Sequence, residues 1–128
     1  MTRGFHTFLE KMIIKKRNRN GATEVLLQGK LMYTEIHQFV SQLDALISEV
    51  VDSTIILNME MLELIDSSGL GSLMKQNDKF KSAGKNLIYF GFTQNVESIL
   101  KIARLEAFLT IITKDEIDQK YPLLDMDE

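Results

Sequence analysis

The stretch LIDSSGLGSL, residues 64–73, decides the fold and raises the question of function. It sets Asp66, two adjacent serines and two glycines between apolar residues. An apolar, β-branched run at 54–59 precedes it and predicts a central strand, followed by an irregular connection at 61–66. From Leu70 onward, apolar residues follow helical spacing. The stretch is therefore predicted to lead the chain from a strand into a helix.

Similar patterns extend outward along the chain in both directions. Apolar and β-branched runs predict further strands at 8–17, 24–31, 86–92 and 110–112. Apolar residues at helical spacing predict further helices at 36–50 and 96–103, capped by Thr34 and Thr93, and a final helical turn at 115–120. The order β-β-α-β-α-β-α-β predicts an α/β domain, and the opening hairpin makes its sheet mixed.

Length and composition are those of one globular domain. With 128 residues, 45% hydrophobic and 26% charged, the chain suits a single core. We expect this domain at 8–121, between an N-terminal tail at 1–7 and an acidic C-terminal tail at 122–128. The absence of cysteine excludes disulfides and cysteine nucleophiles, and fits a reducing cytoplasm. No apolar run approaches the roughly 20 residues that cross a bilayer, so no membrane insertion is expected.

Charge is distributed unevenly along the chain. The net charge of −3 gives no general attraction to nucleic acid, so no direct nucleic-acid partner is expected. Bases crowd the beginning, at Lys11, Lys15, Lys16, Arg17 and Arg19. Acids crowd the end, at Asp115, Glu116, Asp118, Asp125, Asp127 and Glu128. The bases could contact phosphate, but without interleaved aromatic residues they favour the solvated edge of a hairpin, where lysines prevent edge-to-edge pairing.

The motifs of enzymes and cofactor sites are missing. A hydrolase elbow needs glycine two residues before its serine, whereas Ser67 and Ser68 have Ile65 and Asp66 there. The G-x-x-x-x-G-K-[ST] phosphate loop is absent, and the G-L-G after the serines lacks the third glycine of a dinucleotide fingerprint. No spacing of histidines and carboxylates indicates a metal site. The sequence therefore predicts no catalytic residue, no cofactor, no metal and no enzymatic activity.

A helix cap and a modification site remain as compatible interpretations of the serine pair. Asp66, Ser67 or Ser68 can accept hydrogen bonds from the first free N–H groups of the helix. Two glycines in the first turn disfavour a helix, which indicates that something approaches the backbone closely. A phosphate at this position would meet free N–H groups and add about −1.5 to −2 charges beside Asp66. Modification would thus change the surface without disrupting the fold.

The stretch 55–73, IILNMEMLELIDSSGLGSL, resembles the signature of the STAS domain family, most of all that of bacterial anti-sigma factor antagonists. The shared pattern is an apolar strand ending in Asn, a short connection, and Asp-Ser-Ser-Gly-Leu-Gly opening a helix. LQGKL before the first helix and AGKNLIYFG after the second correspond to the family's flanking strands. The resemblance extends over 11–112.

This resemblance implies a cytoplasmic, non-enzymatic switch. The unmodified antagonist binds an anti-sigma factor that is also a serine kinase, and this frees a sigma factor for RNA polymerase. The kinase phosphorylates the serine after the motif Asp, which is Ser67 here, and a serine phosphatase reverses the modification. Asp66, Ser68 and Gly69 are implied as interface neighbours of Ser67, and we expect Leu70 to offer an apolar contact.

Two features depart from the family pattern. Many members carry acidic residues after the glycine of the second strand, where this chain has Lys30 and Met32 in the partner-facing stretch. The proline common before the third helix is missing, and Gln94 stands near that place. An alternative implied by the same resemblance is a scaffold or adaptor subunit in a larger signalling or lipid-transport assembly.

Overall fold

A β-hairpin opens the fold in the computed structural model, which describes residues 12–124. Strands β1 (Met12–Arg19) and β2 (Ala22–Leu31) pair antiparallel across a tight turn. Gly21 in that turn has φ of +87°, a conformation that glycine adopts without strain. The predicted hairpin is confirmed from its first described residue, while 8–11 of the predicted first strand lie outside the described residues.

Helices and strands alternate after the hairpin. In chain order they are α1 (Ile36–Glu49), β3 (Thr54–Ile65), α2 (Ser67–Ser82), β4 (Asn86–Phe90), α3 (Gln94–Ile102), β5 (Thr110–Ile111) and α4 (Lys114–Lys120). The sheet order is β1-β2-β3-β4-β5, with β2 to β5 mutually parallel and β1 antiparallel at one edge. The predicted α/β class, element order and mixed sheet are confirmed.

Strand β3 is longer than predicted, because the irregular connection expected at 61–66 is strand up to Ile65. This part of β3 pairs with β2, with Met61 opposite Gln28 and Ile65 opposite Leu31. Two register shifts each insert one extra β3 residue into the pairing. Such bulges break the two-residue alternation of a strand. The prediction of an irregular connection at 61–66 was wrong for this reason, because the bulges leave no alternation there that could have indicated a strand.

The helices cover the two faces of the sheet unequally. Helices α1, α2 and α3 bury the main core against one face through apolar side chains that include Phe39, Leu43, Leu73, Phe80 and Leu100. On the other face, Ile117 of α4 packs with a smaller cluster, Ala22, Ile56 and Phe90. The main core therefore lies on the side that carries three helices, and α4 covers only part of the opposite face.

A buried ionic network under α4 is a feature that sequence patterns did not indicate. The Arg19 side chain is fully buried, donates from Nε to Glu24, and donates from Nη1 to Asp118 Oδ1 at 3.0 Å. Glu24 also accepts from Arg17 Nε at 3.0 Å and from Asn58 Nδ2 at 2.8 Å. Burial raises the pKa of Glu24, but the hydrogen bonds from Arg17, Arg19 and Asn58 outweigh it and hold that pKa below its usual value. The network ties the hairpin to β3 and α4.

Candidate functional site

The candidate site lies where β2 and β3 end. These strands are parallel neighbours, with Leu31 opposite Ile65 at their carboxyl ends. β2 continues into a 3₁₀ turn, Tyr33–Glu35, and β3 continues through Asp66 into α2. In open α/β sheets the carboxyl ends of parallel strands are the usual place for functional groups, because the connecting turns meet there.

Asp66 joins the two turns through both of its carboxylate oxygens. Oδ1 accepts from the Gly69 backbone N–H at 2.8 Å, which makes Asp66 the N-cap of α2. Oδ2 accepts from the Tyr33 N–H at 2.9 Å, across from the end of β2. Of the three residues that the sequence left as possible caps, the structure thus selects Asp66. The hydroxyls of Ser67 and Ser68 are not used as the cap.

The same hydrogen bonds set the acidity of Asp66. The bond from the Gly69 N–H lowers its pKa most, burial opposes this, and the bond from the Tyr33 N–H lowers it further. The carboxylate is therefore held in its charged form at neutral pH. A fixed negative charge lies next to Ser67 before any modification.

Substitution of Asp66 should destabilise the protein, and the loss should grow with the number of carboxylate oxygens removed. Asp66→Asn keeps one acceptor oxygen and is expected to lower the free energy of unfolding by about 1 kcal/mol. Asp66→Ala leaves both N–H groups without their acceptor and should cost about 2 kcal/mol. Urea unfolding at neutral pH measures both. Equal losses for the two variants would contradict the bridging role.

The lowered pKa also gives this loss a pH dependence. A carboxylate whose pKa is lower in the folded than in the unfolded chain stabilises the fold at pH values above its unfolded pKa. That stabilisation is lost as the pH falls through the folded pKa. The stability difference between wild type and Asp66→Asn should therefore be full at neutral pH and shrink at acidic pH. Urea unfolding across this range tests the sign, and a difference that grows on acidification would contradict it.

Ser67 and Ser68 are the first two residues of α2, and both are exposed. The expected position of Ser67, at the surface where the second helix begins, is confirmed. Its hydroxyl lies beside free N–H groups at the positive end of a helix of 16 residues. Both serine side chains are accessible from solvent without any change in the packing of the sheet.

Gly69 and Leu70 lie below that surface. A Cβ atom on Gly69 would be 2.0 Å from the Leu31 carbonyl oxygen, so the close approach indicated by the glycines is made by the chain's own β2. Gly71 differs, since a Cβ there would meet nothing within 4 Å. Leu70 is only 8% exposed and belongs to the core. This burial leaves little of the Leu70 side chain for the apolar contact with a partner, which stays a prediction.

Lys30 lies at the end of β2 and Met32 directly follows that strand, beside the motif. Both are partly exposed, and Lys30 lies opposite Leu64 of β3. The Met32 N–H donates to Glu35 Oε1 at 3.0 Å, and the Glu35 N–H donates to the Met32 carbonyl at 2.8 Å. The expected Thr34 cap is thus wrong, because Glu35 closes the turn and α1 begins only at Ile36.

Three exposed apolar side chains lie on β3 and just after β2, and sequence patterns missed them. Tyr33 follows β2 and is 76% exposed, and Met61 and Leu64 on β3 are each 47% exposed. Tyr33 could have been noticed as an aromatic residue directly beyond a strand. Met61 and Leu64 could not, because the bulges in β3 hide which face each residue takes.

Among residues 12–124, no cluster of three or more histidine, aspartate or glutamate side chains is arranged to hold a metal ion. In the same part of the chain, no helix has the length and apolarity to cross a membrane.

Comparison with known proteins gives one family. The model of the STAS domain matches residues 13–118. Among solved structures, the anti-sigma factor antagonist SpoIIAA is similar in its unphosphorylated form, with 22% identity, a TM-score of 0.65, and coverage of 85% of this chain and 95% of that chain. The phosphorylated form of SpoIIAA from Bacillus is similar at 19% identity and a TM-score of 0.61, covering 85% and 97%.

A third similar structure is the murine anion transporter Slc26a9, at 13% identity and a TM-score of 0.63. This likeness covers 81% of the present chain but only 20% of the transporter chain. No curated protein matches the sequence significantly. At these identities the solved structures establish the fold, which occurs both as a small separate protein and as part of a much larger one.

Proposed function

Because the chain belongs to the STAS domain family, we propose that it is an anti-sigma factor antagonist controlled by phosphorylation of Ser67. In this proposal the unmodified protein binds an anti-sigma factor with serine kinase activity, which releases a sigma factor. The kinase then phosphorylates Ser67, and a serine phosphatase restores the binding form. The protein acts in the cytoplasm by binding alone, without catalysis, cofactor or metal.

The observation that carries this proposal is the setting of Ser67. Its side chain is exposed at the first position of α2, directly after an Asp66 that both caps the helix and holds the neighbouring turn. A phosphate there would be tolerated by the fold, because the start of a helix favours negative charge. The helix would remain in place while the surface in front of it changed.

Binding should be lost because the changed surface is one that a partner has to desolvate. A phosphate adds about −1.5 to −2 charges, next to the charge that Asp66 already carries. Burying the phosphate and the Asp66 carboxylate against a surface suited to a neutral hydroxyl is costly, because an unpaired charge loses its hydration without compensation. The switch therefore works through electrostatics at the interface and requires no rearrangement of the core.

We assign the partner surface to the exposed part of the site. Ser67 and Ser68 form its centre, and Lys30, Met32 and Tyr33 border it at the end of β2. Asp66 and Gly69, which the family resemblance implies at the interface, support this surface from below through the cap and the contact with Leu31. Leu70, which we expected to offer an apolar contact, supports it through the core. Their substitution should reduce binding by disturbing the shape of the turn.

Charge at Ser67 should weaken partner binding about a hundredfold, equivalent to about 2.7 kcal/mol. Ser67→Asp and Ser67→Ala proteins serve as baits for affinity capture from the native cell, with quantitative mass spectrometry. We expect a serine kinase that regulates a sigma factor to be retained by Ser67→Ala and depleted on Ser67→Asp. Ser41→Asp, on the exposed side of α1, is the matched charge control and should bind like wild type. Equal retention by both Ser67 variants would contradict the switch.

One observation favours a second candidate, a scaffold subunit of a larger assembly. Lys30 and Met32 lie where many antagonists carry acidic residues. The surface beside Ser67 is therefore less acidic than in those antagonists. A partner other than a kinase would explain this. In that case the same capture should retrieve the same assembly on both Ser67 variants, with no phosphate on Ser67.

A further inference from the structure

Helix α4 leaves part of its sheet face uncovered. On that face, Ile117 packs against Ala22 of β2. Leu26 lies four residues farther along β2, and side chains an even number of positions apart point to the same face of a strand. Leu26 and Met61 of β3 line an open groove of about 480 Å³. The residues that line it all belong to β1, β2 and β3, so no helix of residues 12–124 covers it.

The groove combines an apolar part with a basic side. Leu26 is half-buried and Met61 is 47% exposed, and these two side chains supply its apolar surface. Lys15 and Arg17 line it on β1, and both are exposed. Among the described residues, Lys15 makes no ion pair. The groove therefore suits an apolar surface that carries acids on one flank.

The buried polar groups of the groove are already engaged. Asn58 Nδ2 donates to Glu24 at 2.8 Å, and Asn58 Oδ1 accepts from the Glu60 N–H at 3.0 Å. Glu24 also accepts from Arg17 and Arg19. A ligand is therefore left with the apolar and the exposed charged side chains as its contacts.

The chain's own α4 shows which kind of ligand this face accepts. Ile117 is fully buried against the sheet. The next residue, Asp118, accepts from Arg19 Nη1 of β1 at 3.0 Å. An apolar residue followed by an acid thus packs on an apolar patch that is bordered by a base. The groove repeats this arrangement farther along the same three strands.

We propose that the groove binds an amphipathic helix of a partner protein, with acids beside its apolar stripe. Leu26 lies about 13 Å along β2 from Ala22, at about 3.3 Å per residue, and a helix is about 10 Å across. A second helix therefore fits beside α4. A helix suits the face of a sheet because its backbone groups bond internally, whereas a strand would need a free sheet edge. The acids would lie beside Lys15 and Arg17.

A second copy of the chain fits the groove less well. Helices α1, α2 and α3 bury their apolar stripes in the main core, and Ile117 of α4 is buried too. None of these helices can enter the groove of a second copy without leaving its own sheet. Two grooves that faced each other would bring Lys15 and Arg17 close to identical bases, and like charges repel. The groove shares no lining residue with the surface assigned around Ser67, so it is independent of the proposed switch.

Selection from two libraries of displayed helical peptides tests the proposal, with the full-length protein as bait. The libraries share apolar positions at helical spacing. They differ only on the flank, which carries aspartate and glutamate in one library and lysine and arginine in the other. We expect enrichment from the acidic library alone, because only acids complement the basic side of the groove.

Synthetic copies of the enriched peptides are then titrated against variants. Met61→Glu and Lys15→Glu should each weaken binding about tenfold or more, since one places a charge in the apolar part and the other reverses the basic side. Lys75→Glu, the same charge change at an exposed site of α2, should bind like wild type. Both groove substitutions are at exposed positions, so either variant decides the test if the other fails to fold.

Several results would overturn the proposal. They are no enrichment from the acidic library, equal enrichment from both libraries, or binding that neither groove variant weakens. Peptides that lose binding to Ser67→Asp and keep it to Met61→Glu would belong to the Ser67 surface instead. A wild-type dimer in sedimentation velocity that Met61→Glu dissociates would assign the groove to a second copy of the chain.

Discussion

Replacing Arg19 with methionine is expected to lower the free energy of unfolding by about 4 kcal/mol, the range found when one partner of a buried ion pair is removed. Arg19 is fully buried and contacts Glu24, Asp118 and the Tyr121 carbonyl. Its loss leaves Glu24, which is 1% exposed, with only the half-exposed Arg17 as a charged partner. It also removes two of the bonds that hold α4 and the following turn to the hairpin. Urea unfolding at neutral pH measures the loss.

Arg17→Met is the matched control for this prediction. Arg17 contacts the same Glu24 carboxylate at 3.0 Å, but its side chain is 48% exposed. Solvent screens such a pair, so the loss should stay at about 1 kcal/mol or below. A double variant, Arg19→Met/Glu24→Met, should recover much of the stability because no buried charge is left unpaired. Similar losses for Arg17→Met and Arg19→Met would contradict the importance of the buried pair.

Gly69→Ala is expected to destabilise the protein by about 3 kcal/mol, at the upper end of what overpacking costs. The added Cβ would lie 2.0 Å from the Leu31 carbonyl oxygen and 3.0 Å from Ile65 Cγ1. A backbone carbonyl held in a parallel sheet cannot move aside as a flexible side chain would. Helix α2 must therefore shift away from β2, which also strains the Asp66 cap.

Gly71→Ala provides the control on the same helical turn. Its Cβ would meet nothing within 4 Å, and alanine favours a helix over glycine by up to about 1 kcal/mol. The substitution should therefore leave the protein unchanged or slightly more stable. In thermal unfolding, Gly69→Ala should be less stable than wild type, whereas Gly71→Ala should be equally or slightly more stable. A Gly69→Ala protein as stable as Gly71→Ala would show that the contact with Leu31 does not constrain the site.

Regular patterns allowed most of the fold to be predicted from sequence. The helices α1, α2 and α3 carry apolar stripes, and β4 is a compact apolar run, so each was placed within a few residues. The second half of β3 was missed because its bulges disrupt the alternation. The start of α1 was misplaced because Glu35, and not the more usual Thr34, closes the preceding turn.

The candidate site was predicted less completely, since its geometry depends on contacts between distant residues. Asp66 and the exposed Ser67 could be placed from the local strand-to-helix turn. The second bond of Asp66, to Tyr33, joins residues 33 positions apart and has no local signal. The same holds for Gly69 against Leu31, and for Arg19 with Asp118, which lie 99 positions apart. Such pairs appear only once the topology is known.

Calorimetric titration of the captured partner with unmodified protein and with protein phosphorylated only on Ser67 tests the central claim most directly. Mass spectrometry establishes the position of the phosphate. The proposed switch predicts that phosphorylation weakens binding about a hundredfold or more, and that Ser67→Ala binds like the unmodified protein. If the phosphorylated and unmodified proteins bind with the same affinity, or the partner kinase places its phosphate elsewhere, Ser67 is not the switch.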